Sequence, residues 1–368
     1  MAVSSERGST SQWIGRGLTA LGPLLALALV VLLFAGLEYW LKKRSVFLTA
    51  DNLRLIAVNS LVIGMCSLGM TLIIVSGGID LSVGSGVALC ATVLACGLKR
   101  NWDPSLCVAL ALLSGILLGA INGTLVSLLR VVPFIITLGT MTAYLGAGKM
   151  LAETVDKGQT VRPDVYPADH AKFSENQVPI WLQQFTSVRE RALLPRRASI
   201  PEAVAPVVDW VRFPSGLWVA VLFAAAVAFL LRFTVFGRYV FALGSNEATA
   251  RLCGINVPLV RIAVYSLAGL FVGIAGVYHF ARLASGDPTS GAGMELKVIA
   301  AVVIGGGSLS GGRGTVMGTL AGAVLMEVIN SGCTQLDVPD PLEDVILGVI
   351  IIAAVTVDQL RQRRFALG

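Results

Sequence analysis

The sequence predicts an all-α polytopic membrane protein, one domain over residues 1–368 with about ten spans, some of them broken at glycine-rich points. Three observations carry that reading. Hydrophobic residues make up 55% of the chain and charged residues only 14%, against roughly 25% charge in soluble domains. The charges are also clumped, leaving Gly17–Leu37, Leu55–Ile79, Leu81–Leu98, Pro104–Leu129, Val131–Gly148, Pro214–Leu231 and Ile262–Ala281 free of Asp, Glu, Lys and Arg. Each of these runs suits a helix crossing about 30 Å of hydrocarbon. The third observation is glycine, densest where two apolar runs stop.

In chain order the spans are read at 18–37, 57–77, 81–98, 104–129, 133–152, 216–232, 261–281, 297–306, 315–333 and 342–357. The first is followed by Glu38, Tyr39, Trp40, Leu41, Lys42, Lys43 and Arg44 with no small-residue cleavage site, so it is a retained span rather than a secretory signal. The eighth is too short to cross straight, so it is either tilted and extended back past Lys297 or broken.

A net charge of +6 in a soluble protein would suggest nucleic acid, but here the basic residues lie in the connections, where they report orientation in a lipid bilayer. With residues 1–16 in the cytoplasm, the inner connections hold Arg130, the cluster from Arg232 to Arg261, Arg313 and the tail 358–368 with Arg361, Arg363 and Arg364. The outer ones hold Lys42, Lys43, Arg44, Lys99 and Arg100, a modestly smaller set. Both termini are then cytoplasmic, and the long connection 153–215 is outside. That connection is read as a solvated excursion, with Val178, Pro179, Ile180 and Trp181 offering the alternative of a small packed cap.

Gly77–Gly86 (GGIDLSVGSG) and Gly305–Gly314 (GGGSLSGGRG) both fit GG-x-x-L-S-x-G-x-G, and each follows an apolar span at its cytoplasmic end. Glycine costs roughly 1 kcal/mol in a helix relative to alanine, so this density argues for unwound or closely packed backbone. Paired glycine breaks in two parts of a transporter point to the pathway, and close helix packing is the alternative. The candidate pathway or packing residues are Gly77, Gly78, Asp80, Ser82, Gly305, Gly306, Ser310 and Glu327.

Asp80 is read as a helix cap through the amide of Ser82 or Val83, with solute contact as the alternative. Glu327 interrupts the ninth span, where an ionisable residue marks function by default. His279 is read as a satisfied interfacial side chain. No phosphate loop is present, since Gly148, Lys149 and Met150 lack the required Ser or Thr and the earlier glycine. No Ser/His, HExxH or paired-Asp constellation suggests catalysis. Cys66, Cys90, Cys96, Cys107, Cys253 and Cys333 lack metal-ligand spacing and read mostly as small buried hydrophobes.

The cytoplasmic connection 233–260 contains FALGSNEATARLCGINV, Phe241–Val257. A short helix is expected over Ser245–Cys253, with Ser245 as N-cap and Gly254 as its stop.

At this point the chain resembles the permease subunits of bacterial ABC monosaccharide importers, the ribose/xylose/galactoside branch of the branched-chain amino-acid permease-like family. The resemblance rests on FLTADN (Phe47–Asn52), GMTLIIVSGGIDL (Gly69–Leu81), PFIITL (Pro133–Leu138), GRYVFALGSNEATARLCGINV (Gly237–Val257) and IAAVVIGGGSLSGGRGTVMG (Ile299–Gly318). It implies that Gly244, Asn246, Glu247, Ala250, Gly254, Ile255 and Asn256 form the loop that couples to an ATPase subunit. It further implies an inner-membrane homodimer, ABC ATPase subunits using ATP and Mg, a periplasmic sugar-binding protein, and no cofactor in this chain. A cation-coupled carrier using Asp80 or Glu327 is the alternative function. The outer connection is longer than the family pattern, and Glu327 and His279 stand where neutral residues are expected.

Overall fold

The computed structural model describes residues 8–43, 46–153, 178–183, 185–186 and 214–366, and it is helical with no extended strand among them. The helices are α1 (Gly8–Lys42), α2 (Ala50–Val75), α3 (Val83–Lys99), α4 (Pro104–Leu129), α5 (Pro133–Glu153) and α6 (Ile180–Gln183). They continue with α7 (Ser215–Phe233), α8 (Val235–Ser245), α9 (Glu247–Leu252), α10 (Val257–Leu283), α11 (Met294–Ile304), α12 (Val316–Gln335) and α13 (Asp340–Ala366).

The organising element is α2. Every residue from Ser60 to Val75 is buried, which its all-round apolar sequence permits. Around it pack α10, α12, α11, α7 and α8, while α1 covers α12. The most extensive pair is α4 on α10, and its cause is legible in the spacing of small residues. Gly115 and Gly119 of α4 face Gly269 and Gly273 of α10, with Gly123 against Ile262 and Tyr265, so closely that a Cβ at Gly115 would lie 2.3 Å from the Gly269 carbonyl oxygen. Small residues four apart let two backbones approach in this way.

Each predicted apolar run lies mainly on a helix, and the helices differ in length. Among the described residues seven helices are long and apolar enough to cross a membrane: α2, α4, α5, α7, α10, α12 and the Gly22–Lys42 part of α1. α3 has 17 residues, about 25 Å at 1.5 Å per residue. α11 has 11, about 16 Å, so the eighth span does extend back past Lys297 to Met294 yet is still too short to cross. It begins near the start of α3, where Gly291 abuts the Gly84 carbonyl, and it ends against Gly318 of α12. Both short helices therefore start inside the bundle. The segment 285–293 reaches that depth along α3, with Gly286 against Ala95 and Thr92.

At one end of the bundle, called the junction end below, lie Val75, Gly77, Gly244 and the Gly311–Gly312 turn. The opposite end is pinned by Glu38, whose buried carboxylate accepts the N–H groups of Val46 and Phe47 at 3.2 and 2.8 Å. In the long connection, the described piece packs rather than projects: Val178 and Leu182 are buried with Leu94 and Phe280, and Phe185 meets Tyr278 edge-on. Trp181 stays exposed. The remainder of 153–215, the first seven residues and the last two lie outside the described residues.

Candidate functional site

Both glycine breaks stop a helix by the same geometry. After α2, Gly77 takes φ +84°, its N–H donates to the Ile74 carbonyl, and the Gly78 N–H reaches back to the Ile73 carbonyl. After α11, Gly306 takes φ +89°, its N–H donates to Val303 and the Gly307 N–H to Val302. These are Schellman stops, which need a left-handed residue that glycine supplies without strain. The sequence alignment paired Gly77 with Gly305, but the hydrogen bonds pair Gly77 with Gly306. Gly305 instead takes the place of Ser76 as the last helical cap, its backbone pressed against Gly318.

Beyond the first break the chain runs into a buried polar hub. Asp80 is 5% exposed; its Oδ1 accepts the Ser82 N–H at 2.8 Å and the Ser82 hydroxyl at 2.7 Å. Asn122 of α4 donates to Ser82 Oγ and to Asp80 Oδ2, and the Tyr144 hydroxyl of α5 donates to Asn122 Oδ1 at 2.9 Å. The Leu81 N–H donates to Thr137 of α5. Asp80 thus holds the Ser82 amide as expected, though not that of Val83. It also ties the break to α4 and α5, which sequence reasoning missed because its partners lie some forty residues or more away. The hydroxyl of Tyr265, beside Gly78, has no partner among the described residues.

The second break leads to an exposed turn. Ser308 and Ser310 share a hydroxyl contact at 3.0 Å, Gly311 and Gly312 both take positive φ, and Ser310 is open to the surface.

Glu327 is 6% exposed on α12 and is bonded to Asn59 of α2, within the field of Arg282 and Lys297. Glu343 accepts from Asn330 at 2.8 Å and lies 3.6 Å from Lys297. Two carboxylates and two basic groups therefore share one neighbourhood, away from the glycine turns. His279, 4% exposed, bonds Ser290 at 2.8 Å and is satisfied as expected. Among the described residues no group of three or more His, Cys, Asp and Glu is placed to hold a metal.

The connection 233–260 is a compact capped structure. Thr234 caps α8 by accepting the Gly237 N–H, and α8 runs through Ser245. Because the chain is still helical at Ser245, the N-cap of α9 is Asn246, in extended backbone, which accepts the Thr249 N–H at 2.9 Å. This corrects the expected cap by one residue. Gly254, at φ +82°, stops α9 with another Schellman pair, Gly254 N–H to Arg251 and Ile255 N–H to Ala250. Asn256 caps α10 by accepting the Leu259 N–H.

Ala250 is the buried anchor of α9. Glu247 pairs with Arg251 at 3.0 Å and with Arg261 at 2.8 Å. Partial burial raises the pKa of its carboxyl, but Arg261, then Arg251, outweigh that and hold it below the ordinary glutamate value. The motif residues therefore shape the loop, and other side chains face outward: Leu252 at 88% exposure, Leu259 at 64%, and the free thiol Cys253.

Fold and site together define a polytopic α-helical membrane protein of the permease class, with half-length helices inside a bundle and a rigid polar loop at one end. The chain belongs to the family described as branched-chain amino acid transport system / permease component, which matches residues 52–355. It is 34% identical over 362 residues to the ribose import permease protein RbsC of Escherichia coli K12, covering 98% of each chain. It is 32% identical to the xylose transport system permease protein XylH of the same strain, over 86% of this chain and 87% of the relative. A third relative there, the probable ABC transporter permease protein YphD, is 35% identical over 97% of this chain and 94% of its own length. No solved structure matches the chain.

Proposed function

We propose that this chain is the membrane-spanning subunit of an ATP-binding-cassette importer that moves a monosaccharide of the pentose class across the inner membrane. The observation that carries this reading is the loop from Gly244 to Asn256: capped at Asn246 and Asn256, stopped at Gly254, and exposing Leu252 and Leu259 at the end where the glycine breaks meet. Such a loop is a docking surface, and the near-full-length likeness to ribose and xylose permeases supports both the motor and the sugar.

On this reading the junction end is cytoplasmic. Arg130, Arg232, Arg238, Arg251 and Arg261 gather at the helix termini there, in keeping with the excess of basic residues on cytoplasmic loops. The ATPase subunit uses ATP and Mg and docks on the loop over the exposed Leu252. A second copy of this chain completes the translocation pathway, and a periplasmic binding protein delivers sugar at the opposite end. The basic neighbours Arg282 and Lys297 argue against a cation site at Glu327.

Uptake of labelled ribose and xylose into vesicles carrying this chain, its ATPase subunit and the binding protein tests the proposal. Uptake is expected only with ATP, and Leu252→Asp is expected to weaken ATPase co-purification at least tenfold. Uptake by the chain alone, or uptake driven by a proton or sodium gradient without ATP, overturns it.

A further inference from the structure

Three backbones meet at Gly244. A Cβ there would lie 1.8 Å from the Val75 carbonyl oxygen and 2.6 Å from the Gly312 nitrogen, so no side chain fits. Those two atoms belong to the stop of α2 and to the turn after α11, and they are bonded to each other, Gly312 N–H donating to Val75 O at 2.9 Å. A Cβ at Gly311 would meet the Gly244 carbonyl oxygen at 2.5 Å, and one at Gly77 would touch the Gly244 Cα at 3.7 Å. The loop is thus seated directly on both breaks, backbone against backbone.

We propose that Gly244 is a positioning residue that locks the loop to both glycine breaks, so that loop, first break and second break move as one body when the loop is displaced. The inference rests on the reading of the loop as a motor-docking element. Its physical basis is the absence of slack. A contact made by long side chains absorbs a small displacement through rotamer changes, whereas contact between main chains at van der Waals distance passes it on. The two breaks lie where α2 and α11 stop, so a shift of the loop reaches both helix ends together. The first break carries it further to α4 and α5 through Asp80, Asn122 and Thr137.

The test uses the full complex with its ATPase subunit and binding protein. Gly244→Ala is expected to lower the sugar moved per ATP hydrolysed at least tenfold while the ATPase still co-purifies, whereas Gly139→Ala, at a position with open space, leaves the ratio unchanged. A purely structural role would lower transport and hydrolysis together. A wild-type ratio in Gly244→Ala overturns the proposal. Should that variant fail to assemble, hydrogen exchange on the wild-type complex decides the matter: a change on adding the ATPase at 76–82 and 305–315 together with 247–259 is expected of one body, and a change confined to 247–259 contradicts it. Failure of the ATPase to bind the wild-type chain sinks the reading of the loop itself, a result distinct from either outcome above.

Discussion

The two glycine breaks stop their helices by the same pair of backward hydrogen bonds and the same left-handed glycine, yet they continue differently. After Gly78 the chain turns inward to Asp80, a buried carboxylate holding Ser82 and Asn122. After Gly307 it makes a surface turn where the Ser310 hydroxyl meets that of Ser308. A shared motif in sequence therefore marks a shared way of ending a helix and says little about what each end is for. Both breaks seat the loop, but only the first is also an anchor in the buried hub.

The largest expected effect breaks that comparison at its buried side. Asp80→Ala leaves the Ser82 amide and hydroxyl without their acceptor and removes one of the two acceptors of Asn122, and is expected to cost about 3 kcal/mol. Ser310→Ala at the matching surface turn is expected to cost less than about 0.5 kcal/mol. Thermal unfolding in detergent reads both, and equal losses would remove the distinction between the two breaks.

A second pair tests the sameness of the stops. Gly77→Ala and Gly306→Ala each place a Cβ at positive φ, where an L-residue is disfavoured by about 1–2 kcal/mol. The two losses are expected to agree within about 0.5 kcal/mol, since neither Cβ meets an atom closer than 3.7 Å. A much larger loss at Gly77 would mean that its contact with Gly244 is tighter than described.

On the loop itself, Asn246→Ala removes the cap of α9 and is expected to cost about 1 kcal/mol. Faster amide hydrogen exchange should be confined to α9 and its cap, because Ala250 still anchors the helix. The smallest effect is that of pH. Glu247 has a carboxyl held below its usual value, so its ion pairs contribute fully above the ordinary glutamate pKa of about 4.3 and are lost as pH falls through the lower folded-state value. Loop protection, corrected for intrinsic exchange, should stay level from pH 7 to 5 and fall only in stronger acid; Glu247→Gln should abolish that acid step.

Much of this architecture is readable in the sequence because the bilayer demands long apolar runs and because glycine and Asn leave local marks. The helix ends at Gly77 and Gly254 follow from residues within a few positions, whereas His279, read as interfacial, is buried against a serine eleven residues on. What is not readable depends on partners far along the chain. The run Gly305–Gly307 can be aligned with Gly77–Gly78 in two registers, and only the hydrogen bonds choose between them. Glu327 looks like a lone charge until Asn59, Lys297 and Arg282 are brought to it. The glycine ladder of α4 and α10 is visible as spacing in each helix, but nothing local pairs the two. Gly244 reads as one more loop residue, since its neighbours Val75 and Gly312 are remote in sequence.

Hydrogen exchange on the assembled complex, with and without the ATPase subunit, tests the central claim most directly. If the loop and both breaks are one body, adding the ATPase changes exchange at residues 247–259 and, together with them, at 76–82 and 305–315. A change confined to 247–259, with both breaks untouched, contradicts the account.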